Sequence, residues 1–213
     1  MDQSKGNAFV VRTLLVAALA LAAFPAPAAT PQALPPPGVY ALDPPHTFAS
    51  FAAQHLVVGM VRGRFDTIRG TITVSKDLAA CAVDVSIAVP SVSTQNSVRD
   101  EDLRSDHFFE AAKFPAMTYQ GRGIHRSGKG WVMEGSLTIR GVTKTVPLTF
   151  VFRGVAPAKP GQPARVAFHA SAAVRRAEFG MTYELLDEIG AVSARPDVWI
   201  EIDAEALATG SPN

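Results

Sequence analysis

The chain has 213 residues, a formal charge of +1 at neutral pH and one cysteine. A balance so close to zero excludes the long basic track that a nucleic-acid-binding domain needs. A single cysteine excludes an internal disulfide framework, so an apolar core has to hold the fold together.

Lys5 and Arg12 precede an apolar run from Leu14 to Phe24, which ends in Pro25-Ala26-Pro27-Ala28-Ala29. A basic start, a short apolar stretch and an A-x-A pattern at Ala26 and Ala28 spell a secretory signal peptide over residues 1–28, cleaved near Ala28 or Ala29. The run is short for a membrane span, no later segment is an integral span, and no cysteine stands at the cleavage point for lipid attachment. Cleavage removes Lys5, Arg12 and Asp2, leaving a formally neutral domain bound for the periplasm or the exterior. Residues 29–38 are a proline-rich, extended spacer. Residues 39–208 form the folded domain, and 209–213 a short tail. That length suits one domain with a real core.

From Val39 onwards the hydrophobic period is two almost throughout, the signature of half-buried strands. Phe48–Leu56 reads as one strand and Phe65–Ser75 as another, with Ile68, Gly70, Ile72 and Val74 on one face. Cys81, a small buried hydrophobe on this reading, leads into Val83, Val85, Ile87 and Val89. Met117 and Tyr119 share a face, as do Trp131, Met133, Gly135, Leu137 and Ile139. Val146, Leu148, Phe150 and Phe152 follow, and Pro147, which has no amide hydrogen, puts that strand at an edge or a bulge. Val166 to Val174 and Val198 to Ala204 complete about eight one-sided strands. Such strands pair as a sandwich or curl into a barrel, and their length predicts an all-β, closed antiparallel β-barrel.

One stretch breaks the pattern, Ser91 to Pro115. Ser97 and Asp100 have the spacing of a capping box that starts a short helical insertion. Arg104 lies near the helix end, where the dipole favours positive charge. Phe108, Phe109 and Phe114 then demand an apolar partner, which makes the stretch a lid or side wall of the barrel. Asp100, Asp102, Asp106 and Glu110 read as a solvated helix face.

The inward face has two readings that alternation does not separate: a packed core, or a pocket of the size an eight-stranded barrel can hold. Flexible Met117, Met133 and Met181, with small Gly135, Ala170 and Ala172, favour the pocket. Among polar groups, His46 and His55 lie nine residues apart and point to opposite faces of a regular strand, a weak zinc pattern. Asp43 is a natural partner for His46. Arg99 is either a paired structural arginine or a clamp for an anionic head group, and Arg175-Arg176 beside Phe179 presents the same choice. No nucleophile motif or phosphate-cradling glycine loop occurs.

In order along the chain stand Y-x-x-D-x-x-H (Tyr40, Asp43, His46), His55, Gly63-x-Phe65 and Gly70. Ser91-Val92-x-Thr94, Arg99-Asp100-x-x-Leu103, Phe108-Phe109 and Phe114-Pro115 follow. Then come Gly135-x-Leu137-Thr138-Ile139-x-Gly141-Val142-Thr143-Lys144 and Arg176-x-x-Phe179-Gly180. From Tyr40 to about Ala206 this order resembles the YceI-like, or polyisoprenoid-binding, periplasmic family. The resemblance implies an extended lipocalin-like β-barrel holding a long isoprenoid or other lipid chain, with the polar head at its mouth and no catalysis or cofactor. Two positions depart from the family's usual residues: its customary histidine is Asp102 here, and its customary acid before the phenylalanine pair is His107.

On this reading Phe51, Phe65, Ile72, Met117, Leu137, Leu148 and Phe168 contact the lipid tail, with Phe108, Phe109 and Phe179 beside them. His46, His55, Arg99 and Arg176 face the head group. Two readings of other classes stay open: a metal-assisted enzyme acting on a lipid head through His46 and His55, and an envelope scaffold with a filled barrel. A strand edge near Pro147 or an exposed Trp199 would serve a homodimer, and transient membrane contact fits a lipid carrier.

Overall fold

The structure, a computed structural model, describes residues 33–55, 59–183 and 194–209. The chain opens with strands β1 (Gly38–Leu42), β2 (Phe48–His55), β3 (Gly59–Phe65), β4 (Ile68–Val74), β5 (Ala82–Ala88) and the two-residue β6 (Val92–Ser93). Helix α1 (Ser97–Arg104) intervenes. Then come β7 (Ala116–Arg122), β8 (His125–Ser127), β9 (Gly130–Ile139), β10 (Val142–Ala156), β11 (Arg165–Arg175) and β12 (Ala194–Ala208). All pairings are antiparallel.

Eight strands close a ring in the order β1-β4-β5-β7-β9-β10-β11-β12, sealed where Tyr40 pairs with Ala208 and Leu42 with Ala206. The expected closed barrel is therefore present. Strand β12 is long enough to do two jobs: its end carries β1, and its earlier half carries β2 through Ile200 opposite Phe51. Strands β2, β3 and β6 thus extend the wall beyond the ring, so twelve strands are described rather than eight.

Alternation places the side chains. In β9, Trp131, Met133, Gly135, Leu137 and Ile139 are buried. A two-residue turn at Arg140-Gly141, with φ of 52° and 73°, reverses the chain so that Ile139 faces Val142. Positive φ at both central residues matches the right-handed twist of a tight hairpin, and glycine takes it without a Cβ clash. Pro147 is opposite Glu134 of β9, while β11 pairs with β10 only from Thr149 onwards, so the proline sits at a local edge, as expected. The bulge in β10 falls elsewhere, between Phe152 and Gly154.

The expected strand Phe65–Ser75 is two strands. The amide of Asp66 donates to the Ser91 carbonyl and that of Thr67 to Ser91 Oγ, both at 3.1 Å, so neither is available to a ladder. Strand β2 ends at His55, and Leu56 lies outside the described residues, as do residues 1–28, expected to be a signal peptide, and most of the tail.

The insertion also differs in detail. The helix is capped by Asn96, whose Oδ1 accepts from the Arg99 amide at 3.0 Å, and not by Ser97. Asp100 is freed from capping and turns inward, only 7% exposed, so it belongs to no solvated face. Glu110 is likewise engaged, pairing with Arg140 and Lys113. Phe108 enters the main core cluster with Phe65, Val89, Leu137 and Phe179, and the insertion walls one end of the barrel. Cys81 is buried and free, as expected of a small hydrophobe. Trp199 is exposed on the outer face of β12.

Candidate functional site

The barrel is not filled. Inside the ring lies a cavity of about 400 Å³, bounded by inward side chains from all eight ring strands and from β2, β3 and α1. At roughly 24 cal/mol per Å³, a void of that size in place of a packed core forgoes about 10 kcal/mol, as much as the whole stability of a typical domain. That magnitude decides against a packing flaw. The volume lies within the range of small-molecule sites.

One end of the cavity is closed by Leu34, Cys81, Ile124 and Met133, part of the apolar cluster that includes Trp131. The middle is apolar, with Phe150, Phe168, Ile72, Val83 and Ile202 among its walls. The charged wall residues, Arg99, Asp102 and Arg176, together with His55, gather where α1, the end of β2 and the turn after β11 meet. A mainly apolar space whose charged wall residues, among those described, lie at one end is what the fold constructs.

Of the residues singled out from sequence, twelve line this cavity: Phe51, Phe65, Ile72, Phe108, Phe109, Met117, Leu137, Leu148, Phe168, His55, Arg99 and Arg176. Two do not. Phe179 is 0% exposed and packed solidly among Phe65, Phe108 and Met181 beneath the mouth, because the 3₁₀ turn Arg176–Phe179 rolls it into the core. His46 is on the turn before β2, at the opposite end of that strand from His55. Small Ala170 and Ala172 line the cavity as expected, but Gly135 does not make room for a ligand. A Cβ there would lie 2.3 Å from the Tyr119 ring, so that ring already fills the space.

Sequence reasoning undervalued Asp102, Tyr119, Phe150 and Met133, all in the wall. Asp102 was marked only by its departure from the family's usual histidine. Its Oδ1 lies 2.9 Å from His107 Nδ1, and the His107 ring stacks on Tyr183 with centroids 4.1 Å apart and planes 2° from parallel. Tyr119 Oη is 3.1 Å from the carbonyls of both Met133 and Val146. Burial, with Glu134 adding repulsion, pushes its phenol up to about 12, so it stays protonated.

Arg99 stands in a relay. Its Nε donates to Thr94 Oγ1 at 2.7 Å and its Nη2 to the Thr94 carbonyl at 3.0 Å. Thr94 in turn donates its amide and its hydroxyl to Asp100 Oδ1 at 2.7 and 2.6 Å. The buried carboxylate is thereby satisfied, and the guanidinium is fixed in the cavity wall. Arg176 Nη1 donates to the carbonyls of Met181 and Tyr183.

His46 belongs to a separate group. Its Nδ1 is 2.8 Å from Asp43 Oδ2, as expected, and Arg165 Nη1 donates to both Asp43 and Glu205. The Arg165 hydrogen bond, with His46 adding to it, holds the Asp43 carboxyl below the usual range. Asp43, His46 and Glu205 lie close enough to share a cation, but Arg165 already supplies one to both carboxylates. A single ion bridging His46 and His55 is ruled out by their separation along β2. Among the described residues no helix is long and apolar enough to cross a membrane.

Residues 40–206 match the model of the YceI-like domain. Protein YceI of Salmonella newport is 34% identical over 141 residues, which is 66% of this chain and 73% of that protein. The crystal structure of the YceI protein of Campylobacter jejuni superposes with a TM-score of 0.62 at 30% identity, over 74% of this chain and 90% of that one. A polyisoprenoid binding domain from Saccharophagus degradans, implicated in plant cell wall breakdown, shares the fold with a TM-score of 0.62 at 16% identity, covering 79% and 98%. The sequence order, the closed barrel and these likenesses agree, and the chain belongs to the YceI-like family.

Proposed function

We propose that this protein is an exported, non-enzymatic carrier that shelters the tail of a polyisoprenoid or similar long-chain lipid inside its barrel, for storage, transport or protection under stress. The observation that carries the proposal is the cavity itself, mainly apolar in its lining and, among the described residues, charged at one end. Removing even a few hundred Å² of tail from water contributes several kcal/mol at roughly 25 cal/mol per Å², enough for firm binding without any charged contact. The isoprenoid class is supported by the polyisoprenoid binding domain of the same fold. Export is supported by the signal-peptide pattern over residues 1–28. A binding rather than catalytic role is supported by the mouth: the Arg99 Nε–Nη2 edge and Asp100 Oδ1 are committed to Thr94.

The test is uptake of a fluorescent polyene lipid by delipidated protein. The wild type takes it up saturably at one site. Ala170→Phe, which plugs the wall, weakens uptake at least tenfold while the far-ultraviolet circular dichroism keeps its strand signature. Absence of saturable uptake, or uptake indifferent to the plug, overturns the proposal.

A further inference from the structure

Arg99 and Asp102 are three residues apart on α1, which puts them on one helix face, and both form part of the cavity wall. Each has been half used by the protein. Nε and Nη2 of Arg99 are spent on Thr94, and Asp102 Oδ1 is spent on His107. Among the described residues, Arg99 Nη1 and Asp102 Oδ2 have no protein partner. The wall therefore keeps an unengaged donor group and an unengaged acceptor on the same helix face. We propose that the mouth of this cavity selects a lipid whose head is an uncharged hydroxyl, the oxygen accepting from Arg99 and the hydrogen donated to Asp102. This inference rests on the lipid-binding reading and adds the head-group class to it.

The chemistry separates the candidate heads. A hydroxyl is both donor and acceptor and satisfies both free groups. An ionised phosphate is acceptor-only, so it leaves Asp102 Oδ2 unpaired and brings close to two negative charges against a carboxylate. Among the described residues Arg99 and Asp102 offset each other in charge, and Arg176 already donates to the Met181 and Tyr183 carbonyls. On Arg99 the Nε–Nη2 edge is taken by Thr94, which leaves an anion only the Nη1–Nη2 edge. A carbonyl or ether head accepts from Arg99 but offers no hydrogen to Asp102 Oδ2, so it uses only one of the two groups. His55, at the same end of the wall, has a donor and an acceptor of its own when neutral and is compatible with a hydroxyl.

The test uses three ligands with one tail: a prenyl alcohol, its methyl ether and its monophosphate, titrated into delipidated full-length protein at neutral pH. The alcohol is expected to bind at least tenfold tighter than the phosphate and severalfold tighter than the ether. Asp102→Ala should weaken the alcohol by about tenfold and strengthen the phosphate. Shifts of opposite sign are something a merely loosened mouth cannot produce. Asp102→Asn, which keeps an acceptor and loses the charge, should retain most of the alcohol affinity while also strengthening the phosphate. Phosphate binding as tightly as alcohol, or both ligands moving in the same direction in Asp102→Ala, overturns the head-group assignment while leaving the carrier reading intact. If none of the three ligands binds the wild type, the carrier reading falls and takes this assignment with it.

Discussion

Asp102 and His107 hold each other across the end of α1, with Oδ1 and Nδ1 2.9 Å apart. The sequence singles out both positions, and in the fold they meet. The contact leaves the Asp102 carboxylate in the cavity wall. It also puts the imidazole on Tyr183, against which Phe108 packs edge-on with centroids 6.0 Å apart.

Both partners are part-exposed, so the pair itself is worth only about 0.2–1 kcal/mol. His107→Ala should cost about 1 kcal/mol once the stacking on Tyr183 is included. A double-mutant cycle of Asp102 and His107 by urea denaturation should give a coupling of a few tenths of a kcal/mol to about 1. Zero coupling would mean that the contact carries no energy.

Asp100 should behave quite differently from its neighbours on the helix. Asp100→Ala strips the acceptor from both the Thr94 amide and hydroxyl in a buried place and should destabilise by about 2–3 kcal/mol. Asp106→Ala, on an exposed position, should stay within about 0.5 kcal/mol of wild type. Equal effects in thermal or chemical melts would contradict the assignment of Asp100 as the anchor of the relay.

The Asp43 carboxyl is held below its ordinary value near about 3.9 by Arg165 first and His46 second. A carboxyl with a lowered folded-state pKa stabilises the protein in full well above that ordinary value. The contribution fades as the pH falls below about 4 towards the folded value. Asp43→Asn should therefore be less stable than wild type at pH 7, with the gap closing in acid as wild type loses the same contribution. A gap that is constant from pH 7 to pH 3 would refute the linkage.

Much of this was legible in the chain. Period-two alternation gave the faces of β5, β9, β11 and β12, and through them most of the cavity wall, because a strand side chain has only two directions to point. What alternation does not contain is pairing over long distances: nothing near Tyr40 announces that Ala208 will be its partner and seal the ring. Local competition was also hidden. The break at Asp66 and Thr67 depends on Ser91, more than twenty residues on. The cap falls to Asn96, while Asp100, the partner Ser97 needed in the expected capping box, is held inward by Thr94. Gly135 misled for a related reason, since a small residue makes room for a ligand only if no neighbouring ring, here that of Tyr119, takes the space.

The most direct measurement is mass spectrometry of an organic extract from protein purified, without detergent, from the envelope of its own cells. The account predicts a polyprenyl or similar long-chain lipid at close to one per protein. An extract that holds no lipid, and still holds none after the protein has been offered a lipid mixture, would contradict it.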